Sequence, residues 1–378
     1  MSNKKNLTAA VPRNRNGEAA AMAIVFIAAI AGRLLMFLTA YMTAKHTGMA
    51  KGLYEYLAGA GDVPHYVEIA SGWYQSSGET ANNIVFFPLM PMLMKLFHVI
   101  FRDYVIAGIF VSYVSFGIMS CFFYKLLKLD YDDEKTAGGM LAMFMGVFGI
   151  FYISAHTESL FIMLIAMGLY YMRKKNWLAA GVVGFFASLS RTQGMVLFIP
   201  VVYEIVIKSI KEKKFDIKSL FAILIPMGYL VYLILNKAIA GDYFKFIEYQ
   251  ADAPWYNEAT WISESMATSY AVGKNNFALS LIIYWPQIIG FFIAMAAIFA
   301  GLKNKVKVSY LLFLDAYTGV TYFQSWMISG GRYITACLPL YIVFAAIDNK
   351  YVKNTILLIE GLTFMIIAIL WFRGYAIM

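Results

Sequence analysis

Residues 19–44 read AAAMAIVFIAAIAGRLLMFLTAYMTA, an apolar run interrupted by a single charge, Arg33. A helix needs roughly 17–25 predominantly apolar residues to cross a bilayer, and a cleaved leader has an apolar core of only about 7–15. The residues before the run are polar and basic, with Lys4, Lys5, Arg13 and Arg15. The run therefore reads as a retained first transmembrane helix.

Further along, similar stretches predict spans near 104–126, 136–153, 155–172, 176–190, 193–208, 219–239, 277–301, 308–327, 331–347 and 353–372, about eleven in all. Of the 378 residues 61% are hydrophobic and 14% charged. Soluble domains carry about 25% charged residues, so this chain cannot cover itself with a water-compatible surface. The expectation is an all-α polytopic membrane protein forming one domain over 1–378. The apolar segment 84–101 contains Pro88, Pro91, Lys95 and His98 and reads as an interfacial or re-entrant helix.

The two cysteines, Cys121 and Cys337, lie in apolar runs, which excludes a disulfide framework and a cysteine zinc site. A net charge of +9 comes from 31 Lys+Arg against 22 Asp+Glu. In a soluble protein this could mean nucleic acid; here it reads as the positive-inside rule, and no nucleic-acid partner is expected. With residue 1 in the cytoplasm, eleven spans put Lys125/Lys128/Lys135, Arg173 to Lys175, Lys208 to Lys218, Lys303/Lys305/Lys307 and Lys350/Lys353 on that side. Together with the tail they make about 20 of the 31 basic residues. The other face then receives two long loops, about 45–103 and 240–276, and tight turns near His156, Arg191 and Arg332. A cell-membrane protein with an extracytoplasmic site follows.

In the first loop Asp62 precedes a helix expected from Pro64, with His65 and Glu68 on its first turns. Asp62 reads either as a cap or as a catalytic carboxylate; His65 and Glu68 read as solvated loop groups or as its partners. Phe86, Phe87 and Pro88 open the interfacial segment and suit either membrane packing or guidance of a lipid chain. His156 and Glu158 sit where two spans meet, as a helix cap or as a secondary polar site. Arg191 and Arg332 are isolated cations on the face that the positive-inside rule depletes. Either could snorkel to headgroups; jointly with Asp62 and His65 they suggest a phosphate site, because the guanidinium fork matches phosphate oxygens. Arg33 is expected to pair with a carboxylate or backbone carbonyls within the bundle. Trp255, Tyr256 and Trp261 read as interface anchors, with sugar stacking a further possible role. A P-loop, dinucleotide fingerprint, zinc His-Glu-x-x-His and serine elbow are all missing from the sequence.

Several of these elements, in this order, resemble the PIG-V-like mannosyltransferases, a branch of the multispanning GT-C glycosyltransferases. They are Asp62-x-x-His65-Tyr66-x-x-Ile69-Ala70-x-Gly72-Trp73-Tyr74, Phe86-Phe87-Pro88-Leu89-Met90-Pro91, Thr157-Glu158-Ser159, Ser190-Arg191-x-x-Gly194 and Gly331-Arg332-Tyr333. Gly61 departs from the pattern, which usually has Trp before the Asp. The resemblance implies a GT-C-type bundle whose long first outer loop carries interfacial helices and the catalytic carboxylate. It implies a polyprenyl-phosphate hexose donor, mannose foremost, and a glycolipid, wall-polymer or protein acceptor. Asp62 would act as base, with Arg332, aided by Arg191 or His65, stabilising the departing phosphate. No cofactor is expected. A divalent metal on Asp62, Glu68, His65 and Glu158 is the less favoured arrangement, since arginine alone can neutralise a monophosphate. The competing classes are a lipid-linked glycan polymerase or ligase and a polytopic transporter or flippase.

Overall fold

The computed structural model describes residues 15–49, 51–277, 280–325, 329–375 and 377. The basic tail residues Lys4, Lys5 and Arg13 lie outside them. The described residues form helices and turns with no strand. Six helical stretches are long and apolar enough to cross a membrane: Gly17–His46, Tyr104–Leu127, Thr192–Glu212, Ile217–Ala240, Ser280–Lys303 and Lys350–Phe372. Five of the expected spans are shorter.

In chain order, α1 is Arg15–His46, α2 Leu53–Ala58, α3 Val63–Gly72, α4 Leu89–Phe101, α5 Tyr104–Leu127 and α6 Asp133–Met145. Then follow α7 Glu158–Arg173, α8 Trp177–Ser190, α9 Phe198–Glu212 and α10 Leu224–Ala240. The two short helices α11 Lys245–Ala251 and α12 Ile262–Lys274 precede α13 Trp285–Lys303, α14 Val308–Tyr322, α15 Gly330–Thr335, α16 Leu338–Ala346 and α17 Lys350–Phe372.

The expected span 136–153 stops at Met145, because Gly146 turns out of helical geometry (φ −42°, ψ 129°) and a 3-10 turn, Gly149–Tyr152, follows. The expected span 331–347 is likewise split, with Cys337 outside helical geometry and Pro339 opening α16. Prolines also account for tightened helix starts elsewhere. Pro200 and Pro226 lack the N–H that an α-turn would use, and 3-10 turns, Thr192–Leu197 and Ile217–Ile223, lead into α9 and α10.

Small residues let the helices approach closely where apolar burial gives lipid-embedded surfaces little preference for each other. On α8 a Cβ at Gly181 would stand 2.1 Å from the Phe221 carbonyl oxygen, and on α10 one at Gly228 would stand 2.1 Å from that of Phe185. The two helices meet backbone to backbone. Of the two partners expected for Arg33 the backbone carbonyl is the one present, and among the described residues no carboxylate pairs with it. Its guanidinium lies 5.0–5.2 Å from the ring centres of Phe116, Phe144, Tyr152 and Phe364, and Nη2 donates to the Met143 carbonyl at 3.5 Å. The ring faces supply negative potential where no carboxylate does.

The basic loops are tied together at one end of the bundle. Arg173 pairs with Asp130, Lys307 reaches the same carboxylate at 3.5 Å, and Lys135 pairs with Asp348 at 2.6 Å. Lys175 meets Glu204 and Lys208 meets Asp216. The candidate groups gather at the opposite ends of the same helices.

Within 45–103 the expected interfacial segment becomes α4. It buries Leu89, Met90, Pro91 and Met94 and exposes Met92, Leu96, Val99 and Ile100, an apolar outer face suited to lipid. The 240–276 loop also carries helices, α11 and α12, which its sequence did not announce.

Candidate functional site

A cavity of about 400 Å³ opens among the ends of α3, α8, α11, α14 and α15 and the segment before α4. Asp62, His65, Phe86, Phe87, Arg191 and Arg332 all line it. These residues come from four separated parts of the chain.

Asp62 stands at the N-cap position of α3 (φ −79°, ψ −7°), yet its side chain makes no capping bond. Oδ2 instead accepts from Arg332 Nη2 at 2.7 Å, and among the described residues Oδ1 receives no hydrogen bond. Burial alone would raise this carboxyl, but the adjacent Arg332 guanidinium outweighs it and holds Asp62 below its ordinary value. Gly61, the departure from the family pattern, has φ +48°, and a Cβ there would come within 3.1 Å of His156 Nε2. A large residue before the Asp would meet both constraints at once.

Beneath the cavity floor Glu158 joins the two arginines. Its Oε1 accepts from Arg191 Nη1 at 2.7 Å and from Arg332 Nε. The Glu158 side chain is 1% exposed and that of Arg332 4%, against 9% for Arg191 and 26% for Asp62, so the ladder Arg191–Glu158–Arg332–Asp62 starts and ends at the cavity wall and is deepest at Glu158. Glu158 sits in the first turn of α7, where the helix dipole favours a carboxylate, and Thr157 at the N-cap position makes no capping bond. Aromatic faces cover both cations. Arg332 lies 4.5 Å from the Phe151 ring centre, and Arg191 lies 4.4 Å from that of Tyr333. The short helix α15 that carries Arg332 is pinned by tyrosines. Tyr317 donates to the Tyr333 carbonyl at 2.8 Å, and Tyr152 and Tyr341 both donate to the Thr335 carbonyl at 2.7 Å.

The outer wall is built on residues 81–87. Tyr232 donates to the Ile84 carbonyl and Tyr74 to the Phe86 carbonyl, each at 2.7 Å. Phe86 stacks on His65 at 4.8 Å, and Phe87 stacks on Tyr232 at 4.0 Å. Pro88 does not reach the cavity; it stands at the N-cap position of α4. Glu68 and His156 are also outside the lining. Glu68 accepts from Asn83 Nδ2 at 2.7 Å, and His156 is buried, with Nδ1 2.8 Å from Ser154 Oγ and Nε2 without a partner.

Sequence reasoning missed Asn83 altogether and gave Trp255 the same two readings, anchor or sugar platform, as Tyr256 and Trp261. Trp255 packs edge-on against both His65 and Phe86, at 5.4 and 5.5 Å, whereas Tyr256 and Trp261 are exposed. Two buried polar atoms on this side, Trp255 Nε1 and Asn257 Oδ1, have no hydrogen-bond partner among the described residues. Among the described residues no three His, Cys, Asp or Glu side chains gather at a spacing that could hold a metal ion.

No family model matches the chain, and no curated protein is significantly similar to it.

Proposed function

We propose that this chain is a membrane glycosyltransferase. It moves a hexose, mannose by the resemblance, from a polyprenyl-phosphate donor to an acceptor hydroxyl on the extracytoplasmic face, by a single inverting displacement. In this reading the five shorter apolar helical segments complete an eleven-pass GT-C-type bundle with a cytoplasmic N-terminus.

The observation that carries it is the meeting of two arginines, a carboxylate and an imidazole in one aromatic-walled cavity at the end of an apolar bundle. A lipid-phosphate sugar asks for those features together: cations for the phosphate, rings and amides for the sugar, and a proton acceptor for the incoming hydroxyl. The geometry divides the arginines differently from the sequence reading. Arg332 is committed to Glu158 and Asp62, while Arg191 spends only Nη1 on Glu158. Arg191 is therefore the stronger phosphate ligand, and Arg332 the group that fixes Asp62. Asp62 Oδ1, which takes no hydrogen bond among the described residues, would accept one from the acceptor molecule and so hold it toward the anomeric carbon. Trp255 and Asn257 line the cavity, and the buried Nε1 and Oδ1 atoms, unpaired among the described residues, would meet sugar hydroxyls after a small turn of either side chain.

A transporter would need its polar groups near the bilayer midplane. Here they cluster at one end, which favours chemistry over passage.

The test is to incubate purified protein with radiolabelled polyprenyl-phosphate hexoses and a membrane extract, and to identify the labelled product. Transfer from a lipid-phosphate donor, weakened at least about tenfold in donor use by Arg191→Lys, is expected, since lysine keeps the charge but loses the fork. Folded protein that transfers no hexose from any of these donors would overturn the proposal.

A further inference from the structure

Asn83 links two side chains of α3. Its Nδ2 donates to Glu68 Oε2 at 2.7 Å, and its Oδ1 lies 2.8 Å from His65 Nδ1. An ionised carboxylate can only accept, so the amide must turn its NH₂ toward Glu68 and its carbonyl toward His65. A carbonyl can also only accept. The proton of the neutral imidazole is thereby fixed on Nδ1, and Nε2 is left with its lone pair. Nε2 has no partner among the described residues. Asn83 is buried at 2% exposure, a costly place for an amide unless both ends are satisfied, as they are. The ring is held flat against Phe86 and edge-on to Trp255 on the cavity wall.

We propose that His65 is the catalytic group that takes the acceptor's proton, with Asn83 and Glu68 as the positioning residues that set its tautomer. This rests on the glycosyl-transfer reading above. As the acceptor oxygen bonds to the anomeric carbon, the bond from that carbon to the phosphate oxygen breaks and its electron pair leaves with the lipid phosphate. The hydroxyl proton passes to His65 Nε2, and the imidazolium is stabilised through Nδ1–H by the Asn83 carbonyl. Asp62 then holds the acceptor by taking a hydrogen bond from a neighbouring hydroxyl of it, and keeps its own charge. Its ion pair with Arg332 makes it the poorer proton acceptor of the two.

The experiment measures transfer against pH for wild type and variants. Asp62 and Glu68 lie on the same helix as His65, Asn83 and Phe86 come from the segment before α4, Trp255 follows α11, and Arg191 and Arg332 also line the cavity. An imidazole acting as base loses activity when it takes up a proton, so it predicts an acid limb to the rate profile that no guanidinium, amide or aromatic ring of this set would give. His65→Asn keeps a donor near the Nδ1 position and removes the base. It should lower kcat by about 10²–10⁴-fold with the donor KM little changed, and the acid limb of the wild-type profile should disappear. Asn83→Ala keeps His65 but frees its tautomer and removes support for the imidazolium. It should lower kcat and move the acid limb to lower pH. Nitrogen NMR of wild type should show His65 protonated on Nδ1 at neutral pH, and Asn83→Ala should lose that preference. If His65→Asn transfers within about threefold of wild type with the same acid limb, the role of His65 is overturned and glycosyl transfer stands. If His65→Asn fails to fold, an Asn83→Ala enzyme with unaltered kcat and pH profile overturns it instead. A wild-type protein inactive with every lipid-phosphate hexose overturns both.

Discussion

At Asp62 two sets of donors compete for one carboxylate: the first-turn N–H groups of α3 and the guanidinium of Arg332. Arg332 takes it, and the cap position goes without a side-chain bond. Capping therefore does not set the cost of changing this residue. Asp62→Asn keeps the shape and one acceptor oxygen but removes the charge opposite a buried cation. Because the Asp62 carboxylate is partly exposed, the stability loss should be about 1 kcal/mol, as for screened pairs, rather than the roughly 3–5 kcal/mol of breaking a fully buried one. The pH sign follows from the depressed carboxyl. A group whose pKa is lower folded than unfolded contributes stability that is present above the unfolded value and lost as pH falls through the folded one. The melting-temperature gap between wild type and Asp62→Asn should be constant from pH 8 to about 5 and shrink below about pH 4, the unfolded carboxyl's range. Thermal melts across that interval check it; a gap that instead shrinks between pH 8 and 6 would mean that the ion pair does not hold Asp62.

The elements explain how much of this was legible in the sequence. The six long helices are continuous apolar runs, which composition alone reveals. Two of the shorter ones read as unbroken spans, over 136–153 and 331–347, because apolar residues continue past Gly146 and Cys337, and hydropathy does not register a turn made inside an apolar environment. Asp62, His65, Arg191 and Arg332 were legible as charged or ionisable residues on an apolar background. Asn83 was not, and Trp255 could not be told from Tyr256 and Trp261, for an amide in a loop and a tryptophan at an interface are ordinary residues until tertiary contacts place them. Packing between α8 and α10 was similarly silent, though it depends on particular atoms. A side chain at Gly228 would run into the Phe185 carbonyl at 2.1 Å, a backbone atom that cannot rotate away. Gly228→Val should force the helices apart at a cost of about 1–3 kcal/mol or more. Gly319→Ala, with open space around its Cβ, is the control and should cost little by comparison. Detergent melts of both variants test this. Equal stability in the two would mean that the close approach contributes nothing.

Across the whole molecule, charge is sorted by end. Helix α7 begins at Glu158 under the cavity and finishes at Arg173 in the basic cluster, a rise of about 24 Å over its 16 residues. With the basic cluster at one boundary of a hydrocarbon core of roughly 30 Å, the cavity floor would lie a few ångströms inside the other. The pairs Arg173–Asp130, Lys135–Asp348 and Lys175–Glu204 hold the basic loops to a single end, so whichever side of the membrane takes one of them takes all. The positive-inside rule assigns that end to the cytoplasm. Single cysteines at Lys214, in the basic stretch, and at Ser76, in the loop after α3, read this directly once Cys121 and Cys337 are replaced by serine or alanine. Both positions are exposed, and neither lines the cavity. In intact cells an impermeant thiol reagent should label position 76 and spare position 214, which should react only after permeabilisation. Labelling at 214 with protection at 76 would invert the molecule. The cavity would then face the cytoplasm, and an extracytoplasmic lipid-phosphate donor could no longer reach Arg191.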